Sequence, residues 1–276
     1  EIPLRLVGSE MCIRDRDGDI VPVAMGSNVQ AQGVANLLSD IVRFFPSPEY
    51  RECVGINRKT NEIFEAHHDF AAAKTAYVFK TMVDPFIGKY SFVKVCSGVL
   101  KGDDVLYNPE SDAEAKIGKI YTLSGNKPVE VQELFAGDIG AIAKLTSTKT
   151  GDTLSTKNTP VSYGRTEYSK PYTYMKYVVN NKGDEDKVSQ ALAKMMAEDV
   201  TLKVVNDSEN RQSLIYGMGD QHLEVTASKL AERYKVGIRL ETPKVAFRET
   251  IRKNSDVDTK YKKQSGGHGQ LSLIHI

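Results

Sequence analysis

Residues 172–240 read YTYMKYVVNNKGDEDKVSQALAKMMAEDVTLKVVNDSENRQSLIYGMGDQHLEVTASKLAERYKVGIRL, and the order of patterns in this stretch decides the fold. Tyr172 to Val179 alternates aromatic or apolar with polar residues, the period of a strand. Gly183-Asp184 opens a helix through about Glu198, with Asp184 as its N-cap. Val188, Ala191, Leu192, Met195 and Met196 form that helix's apolar stripe. Leu202 to Val205 and Gln212 to Tyr216 are strands joined across an Asn206-Asp207-Ser208 turn. A second helix, about Asp220 to Tyr234, carries Leu223, Ala227, Leu230, Ala231 and Tyr234 on one face. Val236 to Leu240 closes the unit. Strand, helix, strand, strand, helix, strand in about 70 residues is the split βαβ order of ferredoxin-like domains.

Upstream, residues 73–161 change character. Short runs rich in β-branched and aromatic residues (TAYVFKTMV, YSFVKVCSGVL, DDVLYN, AKIGKIYTL, GDIGAIAKL) alternate with Gly, Asp and Asn turns. Strands at this close spacing, without a helical pattern, predict a closed or nearly closed β-barrel. Lys101-Gly102-Asp103-Asp104 and Ser124-Gly125-Asn126 suit hairpin corners, since Gly and Asn tolerate positive φ. Residues 49–72 are polar and weakly patterned and read as a linker. Before them, Ile20 to Ala24 is a short strand candidate and Met25 to Asn28 a turn. Gly33 to Phe45 is an amphipathic helix, with Val34, Leu37, Leu38, Ile41 and Val42 at helical spacing. Pro46-Ser47-Pro48 stops it. Strand, turn and helix ending at prolines resemble the last unit of an α/β domain.

The 276 residues are 40% hydrophobic and 26% charged, a folding composition with room for two or three domains. The net charge of +1 argues against a polycation that binds nucleic acid over its whole surface. Three cysteines with no CxxC pair exclude a disulfide scaffold and fit a reducing compartment, and no apolar run is long enough to span a membrane. The expected setting is cytoplasmic.

Chemistry-bearing motifs are few. Asn181-Lys182-Gly183-Asp184 matches NKxD, the element that reads guanine in P-loop GTPases, but the chain holds no GxxxxGK[ST] loop and Asp184 has work enough as a cap. His67 and His68 would point opposite ways on an extended segment. His222 stands alone at a helix start, which suits a hydrogen-bonded packing role. Cys53 and Cys96 lack partners at ligand spacing, so no metal set emerges. No nucleophile elbow or triad is present, and no catalytic residue is assigned. Residues 244–270 hold seven Lys/Arg against three acids, beside Gln264-Ser265-Gly266-Gly267-His268-Gly269. Those glycines suit phosphate contact with RNA, as they also suit a solvated hairpin with a Gly turn.

Six segments, taken together, carry a family resemblance. They are AYVFKTMVDPFIGKYSFVKVCSGVLKGDDV (76–105), AGDIGAIAKLTSTKTGDTLS (136–155), MAEDVTLKVV (196–205), GMGDQHLEV (217–225), KVAFRETI (244–251) and YKKQSGGHGQ (261–270). In order and spacing the chain resembles elongation factor G and elongation factor G-like translational GTPases. The resemblance implies a multi-domain α+β protein: a β-barrel of the translation-factor domain II type, then a ferredoxin-like domain III. It assigns residues 17–48 to the end of the GTP-binding α/β domain, 49–72 to a linker and 73–165 to domain II. Domain III is then 166–242, and 243–270 begins domain IV. Residues 1–16 and 271–276 resemble translated sequencing-adapter DNA and are expected to be artefactual.

The resemblance also places Gly26, Ser27 and Asn28 at the last guanine-contacting loop, where Asn28 departs from the family's usual Gly-Ser-Ala. Gly217, Gly219, Asp220, Gln221 and His222 fall on a domain III motif, Gly-Glu-Leu-His-Leu in many members. The Gln at position 221 is closer to the divergent, elongation factor G-like branch. Lys260, Lys262, Lys263, Gln264, Ser265, Gly266, Gly267 and His268 are candidates for RNA contact. The implied function is ribosomal translocation driven by GTP and Mg²⁺ in the intact parent, neither of which is expected to bind this chain alone. The implied partner is the ribosome, through small-subunit rRNA and proteins, for a monomer that avoids membranes. The alternatives are a ribosomal protection GTPase of the tetracycline-resistance type, or a stand-alone RNA- or ribosome-binding module. The joint between the two domains is expected at Val161 to Lys170, around Gly164.

Overall fold

The computed structural model describes residues 21–50, 52–84, 88–125, 127–250, 252, 259–262 and 270–273. The expected helix forms as α1 (Val34–Phe44), ending where Pro46 removes a backbone donor. The strand expected before it does not form over residues 21–24, and Ile20 lies outside the described residues. Instead Ser27 and Gln32 exchange backbone hydrogen bonds at 3.0 and 3.1 Å, closing a tight loop into the helix. A Cβ on Gly33 would lie 2.8 Å from the Met25 carbonyl, so this loop needs glycine there.

The segment expected as a linker is a hairpin. β1 (Cys53–Asn57) pairs with β2 (Ile63–Ala66) around a turn in which Asn61 takes positive φ and Asn57 Oδ1 accepts the Lys59 N–H. Ile56 and Asn57 pair in turn with Ser162 and Val161, about a hundred residues on. Short, half-exposed strands with a distant partner leave little periodicity for the sequence to display.

The following domain contains β3 (Thr75–Asp84), β4 (Gly88–Ser97), β5 (Val99–Lys101), β6 (Val105–Asn108), β7 (Ala113–Lys116), β8 (Ile120–Ser124), β9 (Lys127–Val131), β10 (Glu133–Phe135), β11 (Ile139–Ala143) and β12 (Thr153–Leu154). Six of these make one antiparallel sheet in the order β12-β3-β4-β11-β8-β9, while β5–β10 and β6–β7 are separate pairs. The ladders do not close into one hydrogen-bonded sheet, which leaves the arrangement consistent with the domain II type of β-barrel expected, nearly closed rather than closed. The strands nevertheless enclose one core of Val78, Val93, Leu100, Leu106, Ile120, Leu134, Ile142 and Leu154, drawn from every strand set of the domain. β13 (Val161–Ser162) joins the β1–β2 hairpin to it as a third strand.

The ferredoxin-like domain forms as expected. It runs β14 (Thr173–Val179), α2 (Glu185–Glu198), β15 (Lys203–Asp207), β16 (Gln212–Gly217), α3 (Asp220–Tyr234) and β17 (Ile238–Glu241). The sheet order is β15-β16-β14-β17, with every pair antiparallel. Val188, Leu192 and Met195 of α2 and Leu223 and Leu230 of α3 pack with Met175, Tyr177, Ile215 and Ile238, so both helices cover the same face. Asp184 holds the N-cap position without a side-chain cap bond, contrary to expectation. Its carboxylate instead takes Lys187 at 2.9 Å and Asn181 at 3.3 Å, while Glu185 accepts the Gly183 N–H.

The expected strand from Pro243 is extended chain without a ladder through residue 250, and residue 251 lies outside the described residues. β18 (Thr259–Lys262) and β19 (Gln270–Leu273) pair with each other, which gives Leu271 to Leu273 a regular backbone partner. No helix among the described residues is long and apolar enough to cross a membrane.

Candidate functional site at the joint between the domains

The 217–222 motif turns out of β16 into α3. A Cβ on Gly217 would lie 2.8 Å from Leu223 Cδ2 and 3.0 Å from His222 Nδ1, so glycine lets the imidazole pack against the strand end. His222 Nδ1 accepts the Met218 N–H at 3.1 Å. That fixes the tautomer: Nε2 carries the proton and donates to Asp199 Oδ2 at 3.0 Å. Asp199 Oδ1 also accepts the Thr201 N–H and hydroxyl, at 2.9 and 2.6 Å. Burial opposes the Asp199 charge, but the Thr201 bonds and the His222 ring outweigh it and hold the carboxyl below its ordinary range. His222 thus has the hydrogen-bonded packing role expected of it, and ties the start of α3 to the end of α2. Asp220 accepts from the Thr173 hydroxyl at 3.3 Å, and Gln221 is exposed.

One residue before Asp199, Glu198 reaches across to the β-domain. Its Oε1 accepts the Val83 N–H at 2.6 Å, and its Oε2 takes Arg233 Nη1 at 2.9 Å. Arg233 also donates through Nη2 to the Val83 carbonyl. Both backbone groups of Val83, near the end of β3, are therefore held by the C-terminal ends of α2 and α3. Burial works against the Arg233 charge, but Glu198 prevails and raises its pKa. A cleft of about 510 Å³ lies beside this clamp, between Phe79 and Met82 on one side and His222, Thr226 and Leu202 on the other. A second, of about 550 Å³, lies between Thr81, Lys89 and Thr148 and the helical residues Met196 and Ala197.

Sequence reasoning missed Glu198, Arg233 and Asp199. One signal was available: a Glu in the last turn of a helix opposes the helix dipole, so it calls for a cation elsewhere.

The connection between the domains is shorter than expected. Val161 and Ser162 are buried in β13. The Tyr163 hydroxyl bonds Thr75 Oγ1 at 2.6 Å, and burial pushes its pKa up. Arg165 donates at 2.6 Å to Asp152, whose side chain is only 2% exposed and also takes Asn108 and the Lys149 N–H. Thr166 Oγ1 meets the Tyr77 hydroxyl at 3.3 Å. The loosely held stretch therefore begins after Thr166, not at Val161.

Two cysteines that spacing left unconnected meet here. The Cys96 thiol donates to the Lys94 carbonyl at 3.8 Å. The neighbouring Cys96 side chain lowers the Cys53 pKa to about 7 against burial, with help from Lys94, and Cys96 is pushed up. Among the described residues no three His, Cys, Asp or Glu side chains gather as a metal site.

A cleft of about 820 Å³ lies between the hairpin and the β-domain near Arg58, Lys59, Lys157 and Arg165. Each cation there is already engaged: Arg58 by Ser162, Lys59 by the Lys157 and Asn158 carbonyls, Lys157 by Glu114 and Arg165 by Asp152.

The structure does not bring the other candidates to the joint. Gly26, Ser27 and Asn28 form the loop before α1. Lys260 and Lys262 lie on β18, and Lys263 to His268 fall outside the described residues.

Comparison with known proteins meets this geometry. Residues 73–157 match elongation factor G domain 2, and residues 169–242 match Elongation Factor G, domain III. A crystal structure of a Thermus thermophilus protein superposes with a TM-score of 0.70 at 30% identity, over 91% of this chain. The chain spans 35% of that structure's length. A translation-factor β-domain clamped to a ferredoxin-like module defines a protein of the translation elongation class. The chain belongs to the elongation factor G family, whose domains II and III it carries.

Proposed function

We propose that this chain is the docking and relay part of a ribosomal translocation GTPase. Its β-domain meets small-subunit rRNA, and its ferredoxin-like domain passes movement on from the nucleotide-bearing part of the parent. It works in the cytoplasm as a monomer. The observation that supports this reading is the clamp of Glu198 and Arg233 on Val83, which couples two elongation factor G domains through charged hydrogen bonds. Charge-assisted bonds of this kind hold a joint at about 1.5–3 kcal/mol each yet can be exchanged for others, as a relay requires.

GTP and Mg²⁺ belong to the intact parent in this reading. At Gly26 to Asn28, the remnant of the guanine-contacting loop in this reading, the Ser27 and Gln32 N–H and C=O groups are directed at each other. The chain is therefore expected to show no micromolar GTP affinity in equilibrium dialysis. The functional test is competition: excess chain added to a translocation assay driven by an intact elongation factor G should slow it. An unchanged rate at saturating excess contradicts the proposal.

A further inference from the structure

The sheet of the ferredoxin-like domain has one face covered by α2 and α3 and another that no helix covers among the described residues. Because Met175, Tyr177 and Val179 point to the helices, Tyr174, Lys176 and Val178 of β14 point the other way. Tyr174 pairs directly with Tyr216 of β16, and Tyr216 with Lys203 of β15, so the three side chains form one row across the sheet. The two rings stack, with centroids 5.0 Å apart and planes 22° from parallel. Tyr172 stands just before β14, two residues ahead of Tyr174, and its N–H donates to the Gly217 carbonyl. Tyr172 is 78% exposed and Tyr174 40%.

The other end of this face is closed. Gln212 holds the main chain of Lys244 through both amide atoms, at 2.8 and 2.9 Å, and Gln212 and Leu214 are buried. Lys176 is paired with Glu241. Lys203 is exposed and has no ion-pair partner among the described residues. Cross-strand stacking stabilises the sheet, but it asks nothing of Tyr172 or Lys203.

We propose that this face binds single-stranded RNA, with unpaired bases stacking on Tyr172, Tyr174 and Tyr216 and a backbone phosphate meeting Lys203. A four-stranded antiparallel sheet with aromatics on its two central strands is a geometry that stacks bases, and β14 and β16 are the central strands here. Duplex RNA hides its base faces and offers only phosphates, so a lone lysine beside three aromatic rings favours the single strand. The strands lack the Gly-aromatic consensus of dedicated RNA-recognition sheets, so the binding tolerates different sequences. The inference rests on this sheet alone and stands apart from where the β-domain docks.

The test is fluorescence anisotropy of a fluorescein-labelled single-stranded RNA octamer titrated with the whole chain, with the same octamer annealed to its complement as the control. The single strand should bind more tightly than the duplex. Tyr172→Ala, at an exposed position outside the ladder strands, should weaken binding about fivefold or more. The Tyr174→Ala/Tyr216→Ala pair should do so further, while Tyr174→Phe/Tyr216→Phe should retain it. Lys203→Ala should flatten the salt dependence by about 0.7 in logarithmic slope. Unchanged affinity in Tyr172→Ala and in the double alanine variant, equal binding of duplex, or no anisotropy change would each overturn the proposal. Circular dichroism of each variant separates lost stacking from lost fold, and the exposed Tyr172 and Lys203 substitutions keep the test decisive if the double variant unfolds.

Discussion

Cys53 and Cys96 are 43 positions apart on strands of different sheets, and each shifts the other's thiol, Cys53 downward and Cys96 upward. The thiolate is the reactive form, so Cys53, drawn down to about 7, should react near neutral pH. Iodoacetamide labelling of the native chain should follow a midpoint close to 7 at Cys53 and leave Cys96 untouched. A midpoint at the ordinary thiol value speaks against the pairing. Asp199 supplies a pH dependence of the opposite region. Its carboxyl is held below the ordinary 3.8, so its stabilising effect is present above that value and is lost as pH falls through the folded pKa. Asp199→Asn should lower the melting temperature of the ferredoxin-like domain at pH 7, and the gap should close on acidification below about 3.8. Gly217→Ala places a methyl 2.8 Å from Leu223 and 3.0 Å from His222 and should cost about 1–3 kcal/mol, read by urea denaturation. The packing role of His222 was legible, because an isolated histidine at a helix start needs a partner. Its partner Asp199 was not legible, since 23 residues and a whole hairpin separate them.

At the scale of elements, legibility followed the range of the interactions. α2 and α3 were plain from their apolar stripes, and β14 to β17 from alternation next to turn residues, because each pattern is local. The β1–β2 hairpin was not, because its register depends on β13 and its faces are only half buried. The domain II type of fold was legible but its ladders were not, for a related reason: strand count and spacing do not report which neighbours share a ladder, and here β5–β10 and β6–β7 pair apart from the main sheet. The joint of the two domains is where an element-scale change should show. Removing the Glu198 carboxylate leaves the Val83 N–H without its acceptor and Arg233 without its ion-pair partner, a loss of about 1–3 kcal/mol at the joint. Glu198→Ala should therefore speed Glu-C cleavage after Glu167, in the loosely held connection, several-fold, while the β-domain's own unfolding stays where it was. Equal cleavage rates would mean that Glu198 does not hold the joint.

At the scale of the whole molecule, near-neutral net charge conceals strong local differences. The basic run of sequence from Lys244 onward, the cleft around Arg58 and the stacked pair Tyr174 and Tyr216 all occur within a chain of charge +1. Charge balance thus excludes a uniform nucleic-acid coat but leaves room for docking by particular faces. The domain order and the clamp between domains support the proposed role in docking and relay. The most direct measurement is co-sedimentation of the whole chain with purified small ribosomal subunits across a salt titration. The account predicts that the chain pellets with the subunits at low salt and that its affinity falls linearly on logarithmic axes as salt rises, the signature of phosphate contact. A chain that stays in the supernatant at about 50 mM salt, or pellets independently of salt, would contradict it.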